Sequence, residues 1–127
     1  MKGFIKDIIA ASAALQLMEI KGSVPFKIVR DLNKIKKVLD EESRIASEAQ
    51  LQIVKELGCD PDKNGMVFFS SEEKKSEFEA ARDDILNTEV TLDVDVVDLS
   101  AFADNIVFRS SAIDIDALSK FFKFDSE

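Results

Sequence analysis

A long run of helical apolar spacing between Pro25 and Gly58 constrains the fold of this chain more than any other feature. Apolar side chains recur at intervals of three and four residues, which places them on one face of a helix. Ser23 can cap the start, a proline costs no hydrogen bond in a first helical turn, and a glycine commonly follows the last turn. The pattern predicts a helix over residues 24–57, about 50 Å long. We call four of its side chains the apolar line: Leu32, Leu39, Ala46 and Ile53.

The remaining predicted elements are shorter and lie on both sides of this helix in the sequence. Residues 1–20 carry a wide apolar stripe at helical spacing, and Ser70 with Glu73 has the spacing of a capping box. From Val90 onwards apolar and polar residues alternate, which is typical of a half-buried strand. The predicted elements are a first helix over 1–20, the long helix over 24–57, a short strand over 66–69, a third helix over 71–87, a strand over 89–99 and a terminal helix over 114–124.

Together these elements predict a single α+β domain over residues 1–127 that is mainly helical. The length is that of one ordinary domain, and 46% hydrophobic residues are enough to bury a core. The expected architecture is a long central amphipathic helix packed with two or three shorter helices and a small β-hairpin or two-stranded sheet. The apolar stretch over residues 8–18 is too short to cross a bilayer, so we expect no membrane partner.

Charge is divided unevenly along the chain. Residues 21–37 hold six basic residues and one acidic residue, giving +5, whereas residues 38–127 hold 22 acidic and 9 basic residues, giving −13. A free nucleic-acid binder is usually basic over its whole domain, so the acidic bulk disfavours nucleic acid as a partner. Basic residues are also disfavoured near a helix N-terminus. We therefore expect the basic half of the long helix to meet an acidic surface, of this chain, a second copy or a partner.

The side chains on which most enzymes depend are missing from the sequence. There is no histidine, which removes the commonest general base, the imidazole-dependent triads and every histidine-containing zinc site. The four glycines are dispersed, so there is no glycine-rich phosphate loop. Cys59 is the one cysteine and cannot form a bridge within the chain. We expect a protein that is not an enzyme, needs no cofactor apart from a candidate calcium ion, and acts in the cytoplasm.

That candidate calcium ion is predicted from the segment after the long helix. Asp60, Asp62 and Asn64, followed by a glycine, reproduce the opening of a calcium-binding loop with oxygen ligands at alternate positions. The carboxylate that should complete the loop is displaced, because the twelfth position is a serine and Glu72 comes one residue later. Two interpretations remain: a weak calcium site with Glu72 as the last ligand, and a hydrophilic turn without a metal.

Two further groups of residues are candidates for contact with another protein. Residues 83–104 are acidic and contain no lysine or arginine, and Asp93 and Asp95 share one face of the predicted strand. They could address a basic protein site, or they could form a solvated face that discourages edge-to-edge pairing of strands. The phenylalanines are expected mainly in the core, but an exposed group with Phe121 and Phe122 would mark a contact surface.

The order of these features resembles small proteins encoded by tailed bacteriophages, in families with no assigned function. The shared features are the 24–35 segment, the long charged helix that ends near Gly58, the Asp62-Lys63-Asn64-Gly65 turn, the Glu-Val-Thr-Leu-Asp-Val strand and the terminal helix. The likeness covers residues 21–124 and rests on element order and apolar spacing. It implies a protein that acts in the infected bacterial cytoplasm or is carried in the virion, and it implies no reaction.

Two functions of different classes are predicted. As a structural or assembly protein, the chain would pair with itself or with another protein through the apolar line, as in a coiled coil. As an inhibitory binding module, it would present Asp93 and Asp95 to a basic site of a host defence or nucleic-acid enzyme. A calcium-binding helical protein is a further alternative.

Overall fold

The computed structural model describes residues 1–58, 68–110 and 114–124 of the chain. Among these residues it confirms the predicted fold class, a mainly helical α+β arrangement in which one long helix packs with shorter helices and small two-stranded sheets. In chain order the elements are β1 Lys2–Phe4, α1 Ile5–Leu15, β2 Met18–Ile20, α2 Phe26–Glu56, α3 Glu72–Leu86, β3 Glu89–Thr91, β4 Val97–Asp98, a 3-10 helix Ser100–Asn105, β5 Ile106–Phe108, α4 Ile115–Leu118 and β6 Phe122–Lys123.

The predicted long helix is α2, which begins and ends within two residues of the predicted bounds. Pro25 lies just before it in an extended conformation, and its carbonyl accepts the hydrogen bond of the Ile28 N–H at 3.0 Å. Gly58 follows its C-terminus with a φ of +74°, the left-handed conformation that favours glycine after a helix. With 31 residues, α2 is about 46 Å long.

The predicted first helix over residues 1–20 is wrong in its extent. The helix α1 covers 11 residues, and a strand flanks it on each side. In these strands Lys2 pairs with Thr91 of β3, and Met18 pairs with Phe108 of β5, both antiparallel. The hydrogen bonds that make β1 and β2 strands therefore come from distant parts of the chain, which local apolar spacing does not report.

The predicted strand over residues 89–99 is wrong because its middle leaves the sheet. β3 runs antiparallel to β1, whereas β4 runs parallel to β6. Between β3 and β4, Leu92 and Val94 are buried, while Asp93 and Asp95 are exposed. The alternation that predicted a strand therefore reports which side chains are buried, not which backbone groups pair in a sheet.

The predicted terminal helix over residues 114–124 is likewise shorter than expected. Asp114 caps α4 as predicted, since its carboxylate accepts a hydrogen bond from the Ala117 N–H at 2.9 Å. The helix has only four residues, however, because the chain then pairs with β4. The Leu99 N–H donates to the carbonyl of Lys123 at 2.7 Å, and this pairing continues the chain as β6.

The predicted short strand over residues 66–69 is not found in its described half. Phe68 and Phe69 lie outside any strand, and residues 66 and 67 lie outside the described residues. The ring of Phe69 packs instead against Phe78 of α3, with ring centroids 5.3 Å apart. Aromatic packing on a helix therefore accounts for part of this apolar run.

The main core lies between α1, the first part of α2 and the segment around α4 and β6. Phe121 and Phe122 are at its centre and are 0% and 1% exposed. Gly3 allows β1 to lie directly on this core, because a Cβ atom there would be 2.9 Å from Cε1 of Phe121. The Ser12 hydroxyl donates to Asp40 Oδ1 at 2.5 Å and joins α1 to α2.

The far end of α2 is outside this main core and packs against α3. Val54 is buried there, but α3 itself has no buried residue. The cap of α3 is Ser71, one residue after the predicted Ser70, and its side chain accepts a hydrogen bond from the Lys74 N–H at 3.2 Å. The two helices therefore form a hairpin whose outer helix stays largely in solvent.

Candidate interaction surface beside the long helix

Most of the apolar line belongs to the core of the chain itself. Leu32, Leu39 and Ala46 are buried, and Ile53 is half-buried. In the folded chain the three buried side chains have no surface to offer a partner. This placement corrects the prediction of pairing through the apolar line: the helical period was right, but α1 and the other core elements already cover that face.

The predicted contact surface at Phe121 and Phe122 is corrected in the same way. Both rings are fully buried in the main core, and the ring of Phe122 lies 6.1 Å from that of Phe124. The alternative expectation, that these phenylalanines are core residues, is the one that the structure bears out.

Four exposed cationic side chains lie on the solvent-facing side of α2, in its first turns, and we call them the basic stripe. They follow one another at intervals of three, four and three residues, so they share one face of a helix with about 3.6 residues per turn. Within the described part of the chain none of the four forms an ion pair with a carboxylate. The charge count of residues 21–37 did not reveal this common face, although the spacing does. The members of the basic stripe are Lys27, Arg30, Lys34 and Lys37.

Beyond the basic stripe, the same face of α2 carries charges that are paired. Arg44 donates hydrogen bonds to Glu41 at 2.5 Å and to Glu48 at 2.6 Å. The hydrogen bond from Arg44 lowers the pKa of the Glu41 carboxyl, and the two carboxylates raise the pKa of Arg44. The charge of Arg44 is thus paired within the helix, whereas the charges of the basic stripe are not.

An acidic segment, residues 93–98, lies beside the basic stripe. Asp93 and Asp95 are exposed, because the buried Leu92 and Val94 alternate with them and hold the backbone against the core. Neither carboxylate forms an ion pair with a cation in residues 1–58, 68–110 or 114–124. Val96 follows with 52% of its surface exposed, a side chain that the charge pattern had not singled out.

Asp98 ends the acidic segment and is held as an anion. Its Oδ1 atom accepts hydrogen bonds from the hydroxyl of Ser100 at 2.6 Å and from the backbone N–H of Ser100 at 2.9 Å. The hydroxyl contributes most to the lowered pKa of Asp98, followed by the backbone N–H, and the charge of Lys123 acts in the same direction.

Two grooves connect the basic stripe with the acidic segment. Lys34 and Asp95 line the first groove, and Lys37 and Asp93 line the second. The helix also contributes carboxylates, Asp31 to the first groove and Glu41 and Glu42 to the second. Opposite charges thus face the same open space without touching each other. This arrangement agrees with the expectation that the basic half of the long helix lies near an acidic surface, and the acidic residues come from this chain.

Of the four residues in the predicted calcium site, one lies within the described residues. Asp60, Asp62 and Asn64 lie outside the described residues, and Glu72 is the exposed first residue of α3. Among the residues that the structure describes, no three acidic or cysteine side chains converge so as to hold a metal ion. Calcium binding by the 60–72 segment therefore stays a prediction.

Comparison with known proteins yields no relative from which a function could be transferred. No protein-family model, no curated protein and no solved structure matches the chain. Of the helices in the described ranges, none combines the length and the apolar content that a bilayer crossing requires. Function must therefore be inferred from the charged surface itself.

Proposed function

We propose that this protein is a non-catalytic binding protein whose protein partner docks on the face formed by the basic stripe and the acidic segment. The observation that carries the proposal is the presence of unpaired charges of opposite sign on the two sides of the shared grooves. Complementary charge at an interface accelerates encounter and selects the partner. The exposed Val96 adds apolar area of the kind that protein interfaces place near their centre.

The backbone positions of these charges are fixed before any partner arrives. Lys34 and Lys37 project from a helix whose opposite face is anchored by the fully buried Leu39. Asp93 is anchored by the neighbouring Leu92, whose N–H donates to the Met1 carbonyl at 2.7 Å. Such preorganisation lowers the entropy that is lost on binding, so a small charged face can still support a specific complex.

A binding role also agrees with the composition of the chain. The sequence offers no histidine and no glycine-rich phosphate loop, and its net charge of −8 favours a protein partner over nucleic acid. The resemblance to tailed-bacteriophage proteins supports a site of action in the infected bacterial cytoplasm or in the virion.

A second candidate function uses the acidic segment alone. In this case the protein inhibits a host defence or nucleic-acid enzyme by occupying a basic site on it. The observation in its favour is the consecutive exposure of Asp95 and Val96, with Asp93 exposed two residues earlier. This alternative requires the carboxylates but not the basic stripe.

Charge reversal distinguishes the two candidates. Tagged protein is used to capture partners from extracts of bacterial cells that also express the untagged chain, and the affinity for each captured protein is measured. In the principal proposal, Lys34→Glu with Lys37→Glu and Asp93→Lys with Asp95→Lys each weaken capture. In the second candidate function, only the reversal of the two aspartates weakens capture.

A matched control separates the effect of position from that of net charge. Glu77 and Glu79 are exposed on α3, away from the grooves, and their reversal to lysine changes the net charge by the same amount as reversal of the two aspartates. This control should bind like the wild-type chain. Equal capture by all the variants would contradict both candidates.

A further inference from the structure

Resting on the proposed function, we infer that the partner which docks on this face is a second copy of the chain. In the dimer, a two-fold axis runs along the grooves and parallel to α2. The rotation places the basic stripe of each copy on the acidic segment of the other. A two-fold interface brings residue i against residue j and residue j against residue i, so a face with two adjacent patches of opposite charge is complementary to itself.

The order of the charges along α2 fits this symmetry. Lys34 and Asp95 line one groove, and Lys37 and Asp93 line the next groove along the helix. Rotation about an axis parallel to α2 preserves positions along the helix. Lys34 of one copy therefore faces Asp95 of the other, Lys37 faces Asp93, and each contact occurs twice.

The apolar surface between the two charged patches comes from two side chains, the exposed Val96 in the first groove and the half-buried Val38 in the second. Ile35, Val94 and Leu92 are buried beneath them and form the floor, and the charged residues form the rims. An apolar centre with a charged rim is the common composition of protein interfaces.

A second copy explains the mixed charge of this face better than other partners do. A different protein would need a patch of each sign in the matching order, whereas a second copy has both patches already. A nucleic-acid phosphate brought to Lys34 would also meet Asp31 and Asp95, which line the same groove, and it brings no cation to offset them, whereas a second copy brings its own Lys34 to Asp95.

The experiment measures the solution mass by sedimentation and light scattering at low ionic strength. The wild-type chain should approach twice its mass of 14.2 kDa with rising concentration, and added salt should reverse this by screening the exposed charges. Lys34→Glu with Lys37→Glu should raise the dissociation constant by at least about a hundredfold, because carboxylates then oppose carboxylates in both halves of the interface. Asp93→Lys with Asp95→Lys should raise the dissociation constant to a similar extent, because ammonium groups then oppose ammonium groups.

Mixing these two variants should restore the dimer. The acidic stripe of the first variant then faces the lysines of the second, and the basic stripe of the second faces the aspartates of the first. A chain that carries all four reversals should dimerise with itself for the same reason. Glu77→Lys with Glu79→Lys is the control and should dimerise like the wild-type chain.

Several outcomes would overturn the inference. One is a wild-type chain that stays monomeric at low ionic strength, a result that does not depend on the folding of any variant. Another is a mixture that stays monomeric although circular dichroism shows both variants to be folded. Binding of a labelled single-stranded oligonucleotide by a monomeric wild-type chain, lost on reversal of Lys34 and Lys37, would assign the basic stripe to nucleic acid instead.

The same measurements separate this inference from the proposed function. A monomeric chain that still captures another protein, and loses it on charge reversal, would overturn the dimer but leave the proposed function intact. A chain that neither dimerises nor captures a protein through this face would overturn both.

Discussion

The core part of α2, residues 26–46, and its outer part, residues 47–56, belong to one helix but are stabilised by different surroundings. The core part contributes four side chains to the main core: Leu32, Ile35, Leu39 and Ala46. In the outer part only Val54 is buried, and the neighbouring α3 has no buried residue at all. The difference teaches that the main core stabilises one end of this helix, whereas the other end packs on α3, a helix that is itself largely in solvent.

The largest expected effect comes from removing a side chain of the core part. Leu39→Ala would leave a cavity at a fully buried position and should lower the free energy of unfolding by about 2–5 kcal/mol. Leu51→Ala in the outer part is the matched control, because Leu51 is 40% exposed and should cost much less. Urea denaturation measures both. Equal losses would show that the two parts of α2 are equally embedded.

A smaller and more local effect is expected at the start of α3. Ser71→Ala removes the side-chain oxygen that accepts from the Lys74 N–H, and loss of such a cap typically costs about 1 kcal/mol. Amide hydrogen exchange should become faster in α3 and remain unchanged in α1. Ser76→Ala, at an exposed position within the same helix, is the control. Faster exchange throughout α1 would mean that the hairpin and the main core open as one unit.

The smallest expected effect concerns Arg44, which joins the two parts of α2. Arg44→Ala should let the pKa of Glu41 rise towards its ordinary value, since the hydrogen bond from Arg44 is what lowers it. A lowered pKa stabilises the folded chain above the unfolded pKa of Glu41, and this contribution is lost as the pH falls through the folded pKa. Carboxyl NMR titration measures the shift.

Arg30→Ala provides the control for this titration. Arg30 lies on the same helix but belongs to the unpaired basic stripe, so its removal should leave the pKa of Glu41 where it is in the wild-type chain. A lowered pKa that persists in Arg44→Ala would show that Glu41 has another stabilising partner.

Elements whose limits depend on local chemistry could be predicted from the sequence. Pro25 and Gly58 bound α2 because one residue restricts φ and the other accepts a positive φ, whatever surrounds them. Asp114 could be predicted as a cap for the same reason, since its carboxylate bonds to an N–H three residues later, whereas the cap of α3 lies at Ser71, one residue after the predicted Ser70. These interactions involve neighbours in sequence.

Elements that depend on distant partners could not be predicted in this way. β1 and β2 have three residues each, and the sequence pattern predicts them as parts of the first helix. Their strand partners lie in distant parts of the sequence, so local apolar spacing gives no sign of them. The strand expected over residues 89–99 shows the converse case, in which buried Leu92 and Val94 maintain an alternating pattern without a sheet.

The candidate surface was only partly accessible from the sequence. The exposure of Asp93 and Asp95 followed from their alternation with apolar neighbours. These aspartates lie across grooves from Lys34 and Lys37 because residues 91–97 pack on α2. No local sequence pattern contains that information. The partner of the apolar line could not be predicted for the same reason. The helical period indicates that one face of the helix is covered, but it does not indicate which element covers that face.

The long-range pairing of the strands around α1 determines the order in which the protein can fold on the ribosome. β1 cannot form before Thr91 has been synthesised, because Thr91 is the partner of Lys2. In the same way, β2 cannot form before Phe108, the partner of Met18, has been synthesised. At typical rates of synthesis this is a delay of roughly 5–20 s, while the helices between them can form locally in microseconds. The face of α1 that packs on α4 therefore emerges early and is covered late, whereas the face that packs on α2 can be covered as soon as α2 forms.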